Sequence, residues 1–172
     1  MACIIDNGLQ LGCSSIGGIS NVYIGTYESG LVYTLDVDNN ITGLTSPATG
    51  VYEFAQDVEY AGLTQNAEVS RENGTVFIKS SLSVKFIEMT AELRNTFLAL
   101  VKAPIYAVVK ANTGQHYLLG YSSAGRAVEG SAGLGVAQGD MNGATLKFEW
   151  SDANGIFLLD DGVLGGADIP VL

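Results

Sequence analysis

Few residues of this chain have the types and spacing that catalysis requires. His116 is the single histidine, so a Ser-His-Asp triad or a histidine-ligated metal would have to use it. It follows a predicted turn at residues 112–114 and precedes apolar residues, and we interpret it as a partly exposed strand residue. Carboxylate pairs such as Glu53 and Asp57 have the chemistry of an acid and a base, but nothing in the sequence places them in a cleft.

Two short motifs resemble ligand-binding loops without meeting their requirements. Residues 130–135 are glycine-rich, but they lack the lysine of a phosphate loop, and no predicted helix follows to supply N–H groups. We interpret them as a crossover or edge segment that allows close approach of backbones. Residues 36–40 carry oxygen ligands at alternate positions, yet they lack the glycine and distal glutamate of a calcium loop, so a hairpin turn is favoured. We therefore expect no enzyme, no cofactor and no metal.

Cys3 and Cys13 are the only cysteines, which is too few for a disulfide framework. A bridge between them is conceivable, but two reduced thiols are favoured. We expect a protein that is made and kept in a cytoplasm-like compartment.

The stretch from residue 67 to residue 103 organises the predicted fold. Residues 67–71 and 75–87 are predicted strands joined by a turn at residues 72–74, and residues 90–102 are the only strong helix, capped by Thr90. A strand of thirteen residues spans about 44 Å at about 3.4 Å per residue, far more than usual. The hairpin is therefore predicted to project beyond its own core. One face of its second strand is apolar: Val76, Ile78, Leu82, Val84 and Phe86.

The other predicted elements are mostly strands. In the strand at 51–60, Tyr52, Phe54 and Tyr60 occupy one face, and an acidic face opposes them. Residues 41–50 and 125–143 are predicted loops, residues 1–18 an N-terminal arm, and residues 160–172 an irregular tail. We expect one domain, 1–172: an antiparallel β-sandwich or flattened barrel with one flanking helix. The remaining strands are predicted at 19–27, 31–37, 105–111, 115–121, 144–150 and 156–159.

Charge is scarce and unbalanced in this chain. Charged residues make up 15% and hydrophobic residues 47%, against about 25% charged in ordinary domains. No apolar run approaches the length of about 20 residues that a spanning helix needs, so large buried interfaces are favoured over a membrane. The net charge of −10 disfavours direct binding of nucleic acid, which requires a basic surface.

Several short segments resemble, in their order, small structural proteins of phages and prophages of the Bacteroides group. They are 105–110 (IYAVVK), 117–120 (YLLG), 130–133 (GSAG) and 139–146 (GDMNGATL), and at the start Gly12-Cys13 followed by 17–24 (GGISNVYI). The resemblance implies a tail-tube-like virion subunit. Six copies would form a ring by joining sheets edge to edge, and rings would stack through long loops or hairpins. The lumen would be acidic, so that DNA slides through it.

We therefore expect a virion structural protein, most simply a tail tube subunit, assembled in the host cytoplasm. Its partners would be copies of itself and other virion proteins, with DNA only as passing cargo and no membrane. Lumen carboxylates are expected among Glu53, Asp57, Glu59, Glu68, Glu72 and Glu149. The expected subunit interface comprises Glu72, Asn73, Gly74, Val76, Ile78, Lys79 and Lys85.

Lys79 and Lys85 share the polar face of the long strand. We expect them to meet carboxylates of a neighbouring subunit, so that charge reversal there weakens assembly more than folding; a plain solvated face is the alternative. The turn at residues 72–74 is expected to extend beyond the sheet.

Two other functions fit the same composition. One is a different virion part, such as a capsid decoration or head–tail completion protein. The other is a carbohydrate-binding β-sandwich, which would need exposed aromatic side chains on one face. The candidates, whose strand parity points mostly inward, are Tyr23, Tyr27, Tyr52, Tyr60 and Tyr121.

Overall fold

The computed structural model describes residues 16–44, 50–57, 59–137, 139–165 and 169–172. These residues form eleven strands and one helix. The elements are β1 Ile19–Thr26, β2 Tyr33–Leu35, β3 Ile41–Leu44, β4 Tyr52–Ala55, β5 Gly62–Ser70, β6 Thr75–Ile87, α1 Ala91–Lys102, β7 Ile105–Ala111, β8 His116–Leu119, β9 Arg126–Gly133, β10 Gly143–Asp152 and β11 Phe157–Leu159.

The strands form two sheets. The large sheet has seven strands in the order β2-β3-β11-β8-β7-β1-β4, and the small sheet has four in the order β5-β6-β10-β9. Neighbouring strands are antiparallel except for β11 and β3, which form one parallel pair at Leu159 and Ile41. The predicted fold class, a mainly β sandwich with one flanking helix, is confirmed.

The first core cluster lies between the two sheets. Alternate residues of β6 and β10 point into it, as the period of two in a strand requires, and β1, β7 and β8 supply the facing side chains. Its largest member is Trp150, whose Nε1 donates a hydrogen bond to the backbone carbonyl of Ile105, 3.2 Å away. The members from β6 and β10 are Leu82, Val84, Leu146, Phe148 and Trp150.

A second core cluster covers the other face of the large sheet. Tyr106 and Val108 of β7 are buried in it, whereas Ala107 and Val109 of the same strand are buried in the first cluster. Burial on both faces explains the continuous apolar sequence of β7. The predicted irregular tail contributes Val163 and Ile169 to the second cluster, so the described part of that tail belongs to the core, although it forms only isolated bridges.

The helix begins and ends as predicted. The Thr90 hydroxyl accepts a hydrogen bond from the N–H of Leu93 at 3.1 Å, and Pro104 follows the last turn. Phe97 lies over Gly130 of β9, where a Cβ atom would be 3.3 Å from its ring. The apolar spacing of Leu93, Phe97, Leu100 and Val101 predicts that these side chains seat the helix on the sheet, and for Val101 this is wrong. Its side chain is 42% exposed, since it lies about 80° around the helix axis from Leu93.

Three predicted segments differ in the structure. The predicted loop at 41–50 begins with β3, because Ile41 and Leu44 are buried in the second cluster. Strand β3 pairs with the preceding strand β2, and Ile41 also pairs with Leu159 of the distant β11. The predicted loop at 125–143 contains β9, which pairs with β10. The predicted strand at 51–60 ends at Ala55, and Glu59 has a positive φ of 67°, which interrupts a strand.

Two buried tyrosine hydroxyls, those of Tyr33 and Tyr106, have no hydrogen-bond partner among the described residues. Burial, more than the charge of Glu28, raises the pKa of Tyr106 to about 12, and burial also raises the pKa of Tyr33. We expect both to ionise after the exposed tyrosines when phenolate absorbance is followed against pH. The pKa of each of these tyrosines is higher in the folded chain than in the unfolded chain. Their contribution to the free energy of unfolding is therefore complete below pH of about 10 and is lost as pH rises through the folded pKa.

The control for this titration is the chain in urea, where all tyrosines should ionise near their ordinary pKa. Tyr106→Phe should remove one late-ionising group and leave the free energy of unfolding unchanged or slightly higher, since an unpaired hydroxyl is lost. Simultaneous ionisation of all tyrosines in the folded protein would contradict the expectation.

Candidate assembly surface

The β5–β6 hairpin extends beyond the rest of the small sheet, as predicted. Strand β10 pairs with β6 only from Ile87 to Ile78, where its last residue Asp152 lies. Beyond that point, residues 75–77 of β6 pair only with residues 68–70 of β5. The hairpin tip, residues 68–77, is therefore a two-stranded projection. Its turn includes Gly74 with φ of 65°, a conformation that glycine adopts without strain.

The hairpin tip carries exposed apolar side chains. Val69 and Val76 face each other across the two strands and are 60% and 63% exposed, and Phe77 on the opposite face is 39% exposed. Within the single chain, the core covers the apolar face of β6 only from Ile78 onward, and Ile78 itself is half-buried. Val69 and Val76 together form a small contiguous apolar patch, a kind of surface that a contact would cover.

The edges of the small sheet are only weakly protected against pairing with another chain. Strand β5 has nine residues with no proline, its ladder to β6 has no bulge, and its only charge is Glu68. Strand β9 has eight residues; its first half carries Arg126, Glu129 and a bulge near Ala127, but it is uncharged from Gly130 to its end. Natural edge strands are normally short, bulged or charged, so β5 and the second half of β9 are suited to pairing with further strands.

Hydrogen bonds next to the small sheet show which backbone groups of the edges are available. The N–H of Lys85 in β6 points to the side of β6 on which β5 lies, where it donates to the side chain of Gln56. The N–H of Glu88 points to the opposite side, where it donates to the carbonyl of Asn142 next to β10. Because bonding alternates along antiparallel strands, odd residues of β6 bond to β5. The β5 residues between the bonded ones direct their N–H and C=O away from the sheet, at its open edge; they are Leu63, Gln65, Ala67 and Val69. By the same alternation, the residues of β9 that do so include Gly130 and Ala132.

The two lysines of the predicted interface have partners within their own chain. Lys79 Nζ lies 2.7 Å from Glu149 Oε2, and Lys85 Nζ lies 4.5 Å from the centre of the Tyr60 ring. The hydrogen bond from Lys79 lowers the pKa of Glu149 and raises that of Lys79 itself. The solvated-face alternative thus explains both side chains, and their contact with a neighbouring subunit stays a prediction.

The uncovered face of the small sheet, which points away from the large sheet, is balanced in charge. It holds four of the eight basic residues of the chain and three acidic residues. Lys147 Nζ lies 3.6 Å from Glu149 Oε1 and 3.9 Å from Glu129 Oε1. The charged residues of this face are Lys79, Lys85, Arg126, Lys147, Glu68, Glu129 and Glu149.

The predicted lumen carboxylates do not share one surface. Glu68 and Glu149 lie on the uncovered face of the small sheet. Glu53 lies on β4 of the large sheet, where it accepts a hydrogen bond from Asn21. Asp57 and Glu59 lie in the connection between β4 and β5. Glu72, the last member of the set, lies in the turn between β5 and β6. The structure therefore distributes the set over both sheets and two connections.

The predicted turn and histidine have structural partners. The Asp36 carboxylate accepts hydrogen bonds from the N–H groups of Asp38 and Asn40 and from the Asn40 amide. The backbone bond from Asn40 is the main cause of the lowered pKa of Asp36.

His116 Nδ1 lies 3.1 Å from Asp161 Oδ1. In the described ranges, no three histidine, cysteine or carboxylate side chains are grouped to hold a metal; Cys3 and Cys13 lie outside those ranges.

A groove of about 460 Å³ lies between α1 and strands β1 and β4. Its floor is apolar, formed by Ile24, Phe54 and Leu100, and Tyr52 lies at its rim with 58% of its surface exposed. Tyr52 has the inward parity predicted for it but lies on the open edge strand. Among the described aromatic side chains, only Tyr52 and Phe77 are more than one third exposed, and they lie on different sheets, so no aromatic platform for a sugar is formed there.

No helix in the part of the chain that the structure covers is both long enough and apolar enough to cross a membrane.

Sequence reasoning missed β9 and the first half of β5. The usable signal was weak: both segments lack proline and consist mostly of small or uncharged polar residues, with Arg126 and Glu129 as the only charges. Their strand structure depends on pairing with β10 and β6, which are far away along the chain.

Comparison with known proteins assigns no family to the chain: no protein-family model matches it, and no curated protein has significant similarity to it. The features of the molecule that bear on its function are therefore the two edges of the small sheet, its uncovered face and the hairpin tip.

Proposed function

We propose that this protein is a virion structural subunit, a tail tube protein that joins copies of itself through the edges of the small sheet. The observation that carries the proposal is the pair of long, weakly protected edges, β5 and β9, on one four-stranded sheet. An unpaired edge has a row of N–H and C=O groups that another strand satisfies. Two such edges per copy give each copy two neighbours.

The strand directions favour a head-to-tail contact. All pairs in the small sheet are antiparallel, so β5 and β9 run in opposite directions. When β5 of one copy meets β9 of the next, the joint continues the antiparallel pattern. A contact between two different surfaces closes into a ring or extends as a helical filament.

The two layers differ in width, which favours one orientation in a ring. The outer layer of a ring covers a longer arc than the inner one, so the seven-stranded sheet fits outside and the four-stranded sheet inside. The uncovered face of the small sheet then lines the channel. Six copies would contribute about 24 strands. At about 4.8 Å per strand and a strand tilt of about 35°, they would form a barrel about 45 Å across, which is wider than a DNA duplex.

A channel lined by this face would be balanced in charge, whereas the sequence led us to expect an acidic one. The cations Lys79 and Lys147 are already paired with Glu149 and Glu129. Binding of nucleic acid depends on cations that neutralise phosphates. Cations that are paired within the sheet neutralise few phosphates, so DNA could pass through the channel without being retained.

The hairpin tip supports stacking of rings. It projects past the small sheet along the strand direction and carries exposed Val69, Val76 and Phe77. In a ring it would point toward the next ring, where burial of these side chains would stabilise the stack.

The test is negative-stain electron microscopy of the purified protein with measurement of the mass of the assembled species. We expect rings or stacked tubes of one diameter, with a mass that is an integral multiple of 18.0 kDa. Single rings that never stack would favour a head–tail completion protein, and threefold clusters would favour a capsid decoration protein. Monomers at every concentration and salt would overturn the proposal.

A further inference from the structure

The two edges of the small sheet are offset along the strand direction. The first residue of β5, Gly62, pairs with Ser83 of β6. The last residue of β9, Gly133, pairs with Gly143 of β10, which pairs with Ile87 of β6. Residues 83 and 87 are four apart on β6, so β9 is displaced by four residues toward the end of the sheet that is opposite the hairpin tip.

We propose that β5 of one copy pairs with β9 of the next in a single register, with Gly62 opposite Gly133 and Glu68 opposite Arg126. This register rests on the proposed function, which it deepens by naming the contact between copies. It pairs β9 along its whole length, with the β9 bulge near Ala127 absorbing one extra residue. A joint without offset, with Thr64 opposite Arg126, would leave about half of each edge unpaired.

The available backbone groups agree with this register. Leu63 and Gln65 direct their N–H and C=O groups outward on β5, and Ala132 and Gly130 do so on β9. The proposed register places Leu63 opposite Ala132 and Gln65 opposite Gly130, so these residues form hydrogen-bonded pairs. Glu68 and Arg126 form a pair without hydrogen bonds, in which side chains lie closer together.

The charges at the joint are complementary. Glu68 is the only charged residue of β5, and Arg126, at the start of β9, has no ion-pair partner among the described residues. Both lie on the uncovered face of the small sheet, because Glu68 pairs with Phe77 and Arg126 with Glu149. Opposite charges that face each other across antiparallel strands are favourable, and like charges are unfavourable.

The offset also fits the geometry of a closed barrel. Four residues correspond to about 13 Å along the strands, and four strands span about 19 Å across them. Copies joined with this offset would lie at one height only if the strands tilt by about 35° from the ring axis, and closed barrels have tilts of about 35–45°.

The direction of the offset selects the face that lines the channel. Consider a strand whose chain runs upward from its N-terminus. For an L-residue whose side chain points to the viewer, the backbone N–H and C=O point to the right and bond to the strand on that side. Glu68 of β5 points its side chain to the uncovered face and bonds to β6. Seen from that face with β5 running upward, β6 therefore lies to the right of β5. Strand β9 then forms the right edge of the sheet and lies four residues lower than β5. Strands then rise to the right, seen from outside the ring, only if the uncovered face lines the channel. This handedness agrees with the natural twist of strands.

The test uses disulfide crosslinking in a background of Cys3→Ser and Cys13→Ser. Glu68→Cys together with Arg126→Cys should, on oxidation of the assembled protein, give a ladder of covalent species from dimer to closed ring. Facing residues of antiparallel strands have the Cα separation that a disulfide requires. The matched control is Thr64→Cys with Arg126→Cys, which tests the joint without offset and should give no ladder.

Charge exchange gives a second readout. Glu68→Arg and Arg126→Glu should each raise the protein concentration for half assembly by about fivefold, and the double exchange should restore it. Asp38→Arg, in the exposed turn between β2 and β3 and away from the small sheet, is the control. Rings that crosslink through residue 64 instead would overturn the register and leave the proposed function intact. Absence of any assembly in the parent protein would overturn both.

Discussion

Ala67→Pro is expected to abolish assembly while the single chain stays folded. The N–H of Ala67 points away from β6, so its loss removes no bond of the β5–β6 ladder, and proline is tolerated in edge strands on the side that faces solvent. The same change removes a donor from the joint with β9 and places a ring where the neighbouring strand would lie. The defect recurs at every joint of a ring, so we expect monomers at concentrations where the parent protein assembles fully.

The matched control for this substitution is Asn66→Pro. Asn66 pairs with Lys79, and its N–H points toward β6, so proline there breaks the ladder of the small sheet and should lower the free energy of unfolding by about 3 kcal/mol. Light scattering coupled to size-exclusion chromatography measures assembly, and circular dichroism melts measure folding. Unchanged assembly of the Ala67→Pro protein would show that β5 is not the joining edge.

Trp150→Ala is expected to lower the free energy of unfolding by about 3–5 kcal/mol, the range for truncation of a large buried aromatic residue. Trp150 is 2% exposed in the cluster between the sheets. It holds the carbonyl of Ile105 through its Nε1, and Gly125 packs so closely against its ring that a Cβ atom there would overlap it. Alanine would leave a cavity between the sheets and remove one of the two hydrogen bonds to the Ile105 carbonyl, which also accepts one from the N–H of Gly125.

Urea unfolding followed by circular dichroism measures this loss. Tyr52→Ala is the control, because Tyr52 is largely exposed and its loss should change the free energy of unfolding by about 0.5 kcal/mol or less. Trp150→Phe should give an intermediate loss, since it keeps most of the apolar volume but not the hydrogen bond. Equal stability of the Trp150→Ala and parent proteins would contradict the assignment of Trp150 to the centre of the core.

The elements that sequence reasoning placed correctly are those whose signals are local. The alternation of apolar and polar residues fixed β6 at Thr75–Ile87, and β7 at Ile105–Ala111 followed from a run of apolar residues. Thr90 and Pro104 fixed the ends of α1. In each case neighbouring residues carry the physical cause: period, capping and the missing N–H of proline.

The strands that sequence reasoning missed have distant causes. Gly130-Ser131-Ala132-Gly133 has little strand propensity, and it forms part of β9 because β10 pairs with it and Phe97 of the helix packs over Gly130. Ile41 and Leu44 form β3 because both are buried in the second cluster, whose other members include Val108 and Leu118, and because Ile41 pairs with Leu159. Strand propensity depends on such packing more than on the residue itself.

The sequence by itself determined a β-rich chain with one helix, a long projecting hairpin and few charges. Only the tertiary structure decided where the charges lie: the register between β6 and β10 sets Ser81 opposite Glu149 and so brings Lys79 to that carboxylate. It also decided the four-residue offset between β5 and β9. The reason is that register is fixed by which side chains fit the core across the sandwich, and no local window of sequence contains both partners of that fit.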